Sequence, residues 1–294
     1  MKYYEVIFTI TPLSEDTCDI VAALAGEAGF ESFETCDDGL RGYVQQQLFD
    51  PEMLKSIIDS CPFPGLTVSY TVKEAENRNW NAEWEQKGFE PICLPLPSSH
   101  GNGHLVIHDG RHMDNLCLLE ESDRIEVEID THQAFGTGNH ETTRMMCNAL
   151  LDFNLKGCNI LDCGTGTGIL AITALKLGAE SAVGYDIDEW AVDNARHNAV
   201  INNVDDSFTI LHGDASVLNN VDKQFDIVVA NINRNILLAD MQAYTTKMVP
   251  GASLLLSGFY TEDITMLTEC ANALQLHLVA KREDNNWACL RFAK

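Results

Sequence analysis

Paired cysteines at metal-binding or disulfide spacing are missing from this chain. Its ten cysteines (Cys18, Cys36, Cys61, Cys93, Cys117, Cys147, Cys158, Cys163, Cys270 and Cys289) form no C-x-x-C pair, so neither a zinc finger nor a disulfide framework is expected. They read as reduced, small apolar residues. Positive charge is scarce: 19 Lys and Arg stand against 44 Asp and Glu, a formal net charge of −25. That balance disfavours a phosphate backbone as partner, so direct DNA binding is not expected, while a basic protein would be attracted. Apolar runs long enough to span a bilayer are absent, and the charges within Met1 to Ile10 come too early for a signal peptide. Repeats and low-complexity segments are absent too. The expectation is a soluble, cytoplasmic chain with no membrane contact, and a monomer by default.

A length of 294 residues suggests two domains or one with an appendage. Residues 1–72 alternate strand-like and helix-like patterns. Tyr3 to Ile10 reads as a strand, Ser14 to Ala28 as a helix with Ser14 as N-cap, and Phe30 to Thr35 and Leu40 to Gln47 as strands. Pro51 opens a second helix to Ser60, and Leu66 to Val72 closes the series. The order β-α-β-β-α-β predicts a small ferredoxin-like α+β module, a superfold that does not reveal function by itself. Trp80 and Trp84 lie one helical turn apart in Glu74 to Lys87, as a packing stripe or as the face of a connecting helix. Pro91, Pro95 and Pro97, then Ser98 to Gly103, mark a boundary, so 73–104 reads as connector and 105–294 as a second domain.

That second domain carries Asn159-Ile-Leu-Asp-Cys-Gly164-Thr-Gly166-Thr-Gly168-Ile-Leu170, an apolar strand, a glycine turn and a helix start. Glycine reaches positive φ and leaves bare backbone beside a ligand, and the helix presents unpaired N–H groups to the same space. The spacing is G-x-G-x-G, one residue shorter than the G-x-G-x-x-G of dinucleotide sites. It resembles the first motif of class I methyltransferases, which bind S-adenosylmethionine. Ser181 to Tyr185 reads as the next strand, ending in Asp186-Ile187-Asp188, with Asp186 placed for ribose hydroxyls. Asp214, after the strand Phe208 to Leu211, is either a partner for the adenine amino group or a turn residue. Phe225 to Ala230 is a nearly continuous apolar run, as a doubly buried parallel strand requires, and ends at Asn231-Ile232-Asn233. Cys163 in the turn lacks a His or Asp partner pattern and reads as structural.

Upstream, Asp130 to Thr143 is polar and glycine-rich between apolar segments. His132, His140 and Glu141 lack further ligands at metal spacing, so no metal is expected. Phe135 reads as a cover for the cofactor, with glycines for close approach and a threonine hydroxyl as hydrogen-bond partner.

Taken together, F-G-T-G-x-H-x-T-T, L-D-x-G-x-G-x-G-I-L-A-I, D-I-D and V-V-A-N-I resemble the bacterial ribosomal protein L-11 methyltransferase family (PrmA) over nearly the whole chain. The resemblance implies a Rossmann-like seven-stranded sheet behind the ferredoxin-like domain. It implies a protein methyltransferase that moves methyl groups from S-adenosyl-L-methionine to lysine ε-amines, the N-terminal α-amine, or both, of ribosomal protein L-11. It puts cofactor contacts at Thr143, Gly164, Asp186 and Asn231, with Phe135, Gly136, Thr137 and Gly138 lining the site and Gly166 and Asp214 beside them. Asn231 would also orient the acceptor nitrogen. Glu141 stands where many members have proline, and Asp130 to Gln133 replaces a D-P-G-x lead-in, which leaves this loop's geometry open. Other readings are the same fold acting on another protein or a small molecule, a nicotinamide oxidoreductase, or a non-catalytic ribosome-associated binder. Asn231-Ile-Asn-Arg234 lacks the N-P-P-[YF] of amide and nucleobase methyltransferases, which favours an amine.

Overall fold

The computed structural model describes residues 3–30, 32–36, 39–46, 48–59, 63, 65–75, 88–97, 103–111, 124–131 and 140–294. The chain divides into two compact units, Met1–Trp80 and Asn81–Lys294. Both tryptophans of the expected connecting helix, Trp80 and Trp84, lie outside the described residues, as do Phe135, Gly136, Thr137 and Gly138.

In the first unit, β1 (Tyr3–Thr11), α1 (Glu15–Glu27), β2 (Ser32–Cys36), β3 (Gly39–Gln45), α2 (Pro51–Asp59) and β4 (Thr67–Glu74) follow one another. The strands form one antiparallel sheet in the order β2-β3-β1-β4. Alternation in β1 puts Val6, Phe8 and Ile10 on one face, where Val21 and Ala25 of α1 and Leu54 and Ile58 of α2 bury them. α1 starts where it does because Ser14 and Thr17 cap reciprocally: Thr17 N–H donates to Ser14 Oγ at 3.2 Å and Ser14 N–H to Thr17 Oγ1 at 2.9 Å. β4 runs two residues past the expected end at Val72, because its pairing with β1 continues to Tyr4 opposite Glu74.

The second unit begins with a three-stranded sheet, β5 (Ile92–Pro95), β6 (His104–His108) and β7 (Arg124–Glu128), in the order β5-β6-β7. Prolines around 91–97 suggest a boundary, yet a strand forms there. Pro95 is tolerated because β5 is an edge strand, where a missing N–H costs no ladder bond.

The remaining elements are α3 (Glu141–Leu150), β8 (Asn159–Cys163), α4 (Ile169–Lys176), β9 (Ser181–Asp186), α5 (Glu189–Ile201), β10 (Phe208–His212), β11 (Phe225–Asn231), α6 (Arg234–Lys247), β12 (Met248–Tyr260), α7 (Ile264–Ala273), β13 (His277–Asp284) and β14 (Trp287–Ala293). Their seven strands form one sheet, β10-β9-β8-β11-β12-β14-β13, parallel from β10 to β12 and antiparallel at β14 and β13. Alternate residues of the central strands feed two cores. Ile160, Ile227, Val229 and Leu255 pack with α3 and α4, while Leu161, Val228, Leu254 and Leu256 pack with α6 and α7. Burial on both faces is the reason these strands read as nearly continuous apolar runs. Strand order reverses between β8 and β11, and the crevice at such a reversal, outside the carboxyl ends of the strands, is where open α/β sheets bind ligands. The turn after β8 and the residue ending β11 are Gly164 and Asn231.

Candidate functional site

The turn after β8 is built on glycines with positive φ, +72° at Gly164 and +82° at Gly168. A Cβ on Gly164 would lie 2.4 Å from Cγ2 of Ile232, so the position excludes any side chain twice, by conformation and by space. The turn is tied to the neighbouring strand, Gly164 and Thr165 N–H both donating to the Tyr185 carbonyl at 3.0 and 2.9 Å.

Asp162, 1% exposed, braces the turn from beneath. Its Oδ2 accepts from Thr165 Oγ1 at 2.9 Å and from Ala171 N–H at 3.2 Å, joining the turn to the first turn of α4. Oδ1 is buried with no hydrogen-bond partner among the described residues. Burial pushes the carboxyl up to about 7, against the pull of those two donors and with a further push from the charge of Asp186.

Asp186 ends β9 with both oxygens engaged by backbone. Gly166 N–H donates to Oδ2 at 2.9 Å and Asp188 N–H to Oδ1 at 3.1 Å. The sequence motif thereby becomes a geometry, in which the glycine turn orients the carboxylate across the β8–β9 gap. Asp214 is the turn residue that one sequence reading expects, and it also faces the cavity. It caps the short 3-10 helix Ala215–Asn220, Ser216 N–H donating to Oδ1 at 2.9 Å, and it lines the cavity. The Ser216 side chain and backbone hold its carboxyl below the usual range.

Asn231, at the tip of β11, is fixed from α3: its Nδ2 donates to Thr143 Oγ1 at 3.3 Å, and Thr143 itself is buried. With the amide so oriented, Oδ1 remains buried and without a partner among the described residues. A half-buried asparagine with an unused acceptor at the mouth of a sheet has capacity for a donor that is not part of the chain.

Gly164, Asp186, Asp214 and Asn231 line one cavity of 710 Å³, large enough for a nucleoside-sized ligand. Gly166 and Thr143 stand behind it, bonded to Asp186 and Asn231. Ile187 and Trp287 also line it and are not singled out by the sequence reading. Trp287 stacks on Tyr260 at 4.2 Å and meets His140 edge-on at 4.8 Å. Its one sequence signal is the preceding Asn285-Asn286, whose φ of +47° and +66° make the tight β13–β14 hairpin that delivers it. Glu141 also has a partner at this tip, since Asn285 Nδ2 donates to its Oε1 at 2.9 Å and holds the carboxyl below the usual range. Cys163 is fully buried, and burial raises its thiol well above the ordinary value, which removes it as a nucleophile. Among the described residues no three His, Cys, Asp or Glu side chains are grouped to hold a metal.

Residues 30–294 match the family model described as ribosomal protein L11 methyltransferase (PrmA). The chain belongs to this family. It is 44% identical over 292 residues, 99% of both chains, to the ribosomal protein L11 methyltransferase of Phocaeicola vulgatus. To that of Bacteroides thetaiotaomicron it is 43% identical, again over 99% of both. Among solved structures, the ribosomal protein L11 methylase of Lactobacillus delbrueckii subsp. bulgaricus matches 70% of this chain and 99% of its own, with 26% identity and a TM-score of 0.58. Family membership and the β10-β9-β8-β11-β12-β14-β13 order together give the second unit its fold class, the mixed α/β sheet of class I methyltransferases.

Proposed function

We propose that the protein is an S-adenosyl-L-methionine-dependent methyltransferase whose acceptors are lysine ε-amines, the N-terminal α-amine, or both, of ribosomal protein L11. The observation that carries this reading is the cavity at the sheet's switch point, which joins a preset carboxylate, Asp186, to the unused acceptor of Asn231. Membership of the family and the close relatives named above support the acceptor.

The residues present fit the cofactor. Gly164 lines the cavity with bare backbone, Asp186 offers two acceptor oxygens to vicinal hydroxyls, and Asp214 stands beside the cavity for the adenine amino group. When bound, S-adenosylmethionine supplies an electrophilic methyl group that needs no further activation. The chain's task is alignment and exclusion of water. An amine attacks only when unprotonated, and Asn231 Oδ1 can accept a hydrogen bond from one of its N–H groups, leaving the lone pair free to face the methyl. Thr143 keeps that amide from turning its Nδ2 toward the amine. Trp287 and His140, which line the cavity and meet edge-on, desolvate the approach, which favours the neutral amine.

On this reading the first unit is a ferredoxin-like domain that holds the substrate protein, consistent with its β2-β3-β1-β4 order. The division into a recognition domain at 1–72, a connector at 73–104 and a methyltransferase domain at 105–294 belongs to the same proposal, as do cofactor-lining roles for Phe135, Gly136, Thr137 and Gly138. The test is transfer of labelled methyl from S-adenosylmethionine to purified, unmodified ribosomal protein L11, with mass spectrometry to place and count the groups. Methylated amines are expected. Cofactor binding with no transfer to L11, but with transfer to another protein or a small molecule, would replace the acceptor.

A further inference from the structure

Three asparagines on α5 have no place in the account so far. Asn194, Asn198 and its C-cap Asn202 occupy successive helical turns and are 4, 0 and 4% exposed. Buried amides need partners, and these three find theirs along the strand that leads to the Asp130–Thr143 segment. Asn202 pairs with both peptide groups of Glu128: Glu128 N–H donates to Oδ1 at 2.9 Å, and Nδ2 donates to the Glu128 carbonyl at 2.6 Å. Asp130 is held in the same way by two residues, its N–H donating to Asn198 Oδ1 at 3.0 Å and its carbonyl accepting from Asn194 Nδ2 at 2.9 Å.

The pattern has a metric reason. Four residues of helix rise about 6 Å, and two residues of strand rise about 6.7 Å, so side chains at i, i+4 and i+8 can serve alternate peptide groups of an extended chain. Ile129, between them, turns the other way and donates to the His108 carbonyl at 2.8 Å. The last residue of β7 and Asp130 beyond it thus find on a helix the peptide partners that a neighbouring strand would otherwise supply. The Asp130 carboxylate is gripped as well, by His197 Nε2 at 3.3 Å and Arg111 at 3.6 Å.

Asn198 differs from its neighbours in one contact. Its Nδ2 also donates to the Thr167 carbonyl at 2.9 Å, inside the glycine turn. One side chain therefore bonds both the strand end from which the chain proceeds toward His140 and Thr142 and the turn that orients Asp186. We infer that Asn198 is a positioning residue for the cofactor site, holding the glycine turn and the end of the β7 strand in one register. Asn202 is a rung of the same ladder without that duty. Glycine-rich backbone has many conformations available when free, so pinning the Thr167 carbonyl is a preorganisation that ligand binding would otherwise have to supply.

This inference rests on the cofactor reading above, and one experiment separates the two. S-adenosylmethionine affinity is measured by calorimetry, and stability by urea unfolding, for the wild type and for Asn198→Ala, Asn198→Asp and Asn202→Ala. Asn198→Asp keeps an acceptor for the Asp130 N–H and loses the donors to Thr167 and to Asn194 Oδ1, so it carries the same expectation for affinity if the alanine variant does not fold. Both Asn198 variants are expected to bind at least tenfold more weakly, with KM for the cofactor raised and kcat at saturation within threefold of wild type. Asn202→Ala is expected to lower the urea midpoint comparably yet bind within threefold. Wild-type affinity in the Asn198 variants, or losses that simply track stability across all three, overturns the role of Asn198 alone. A wild-type protein that does not bind S-adenosylmethionine overturns the cofactor reading and this role with it.

Discussion

Replacing Asp162 by asparagine should make the protein more stable at pH 8 than the wild type by an amount that vanishes on acidification. The carboxyl is fully buried, and its value rises from 3.8 to about 7 chiefly through loss of solvation. Between those values the folded chain holds a proton that the unfolded chain has released. Stability attached to this group is therefore complete below about 4, falls as pH rises, and is lost above about 7. Three pH units at about 1.4 kcal/mol each put the full loss at about 4 kcal/mol. Asparagine keeps an acceptor for Thr165 Oγ1 and Ala171 N–H and never ionises. At pH 4.5 the two folded proteins carry neutral isosteres and only about 1 kcal/mol of the loss has accrued, so they should differ by no more than about 1–2 kcal/mol once the cost of one altered buried polar contact is set against it. The assay is urea unfolding of both proteins at constant ionic strength from pH 4.5 to 8.5, read as the difference between them so that all other titrating groups cancel. The difference should swing toward the variant mostly between pH 5 and 7. A flat difference would show that Asp162 titrates alike in folded and unfolded chains, and the account of its burial would fall.

Asp186→Ala should weaken S-adenosylmethionine binding by about 10–100-fold, as loss of hydrogen bonds to a charged acceptor does, whereas Asn231→Ala should slow single-turnover methyl transfer by more than it weakens binding. Equal effects of both variants on affinity and rate would refute that division. Gly258→Ala would set a Cβ 2.6 Å from the Ile232 carbonyl oxygen and 2.7 Å from its nitrogen at a φ of +90°, so a stability loss of about 1–3 kcal/mol is expected in urea titration; unchanged stability would mean that the Ile232 backbone yields freely. Cys163 should resist iodoacetamide in the native protein and react only after unfolding, as peptide mass mapping would record; native labelling would contradict its burial.

The parts of the fold legible in the sequence are those with a local cause. Ser14 announces the start of α1, and the nearly continuous apolar run of Phe225 to Ala230 announces a doubly buried strand. Gly164 and Asp186 are legible because a glycine turn and an acidic strand tip are each tied to one chemistry. β5 is hidden by its prolines, since its strand character comes from pairing with β6 and not from its own composition. Trp287 is silent for the opposite reason. It sits 56 residues beyond Asn231, and only the order of the sheet brings both to one cavity. The asparagine ladder has a visible period of four, but nothing in α5 says that an extended segment 64–74 residues earlier would match it.

The β14 strand lies between β12 and β13, although it follows both in the chain. During synthesis, β13 therefore emerges before the strand that will hold it in the sheet, and the hairpin that carries Trp287 to the cavity wall emerges after the glycine turn, Asp186 and Asn231. A chain halted before Trp287 would possess the glycine turn, Asp186 and Asn231 and still lack the indole that stacks on Tyr260 and meets His140, with β13 left unpaired. Assembly of this pocket thus waits on the arrival of β14.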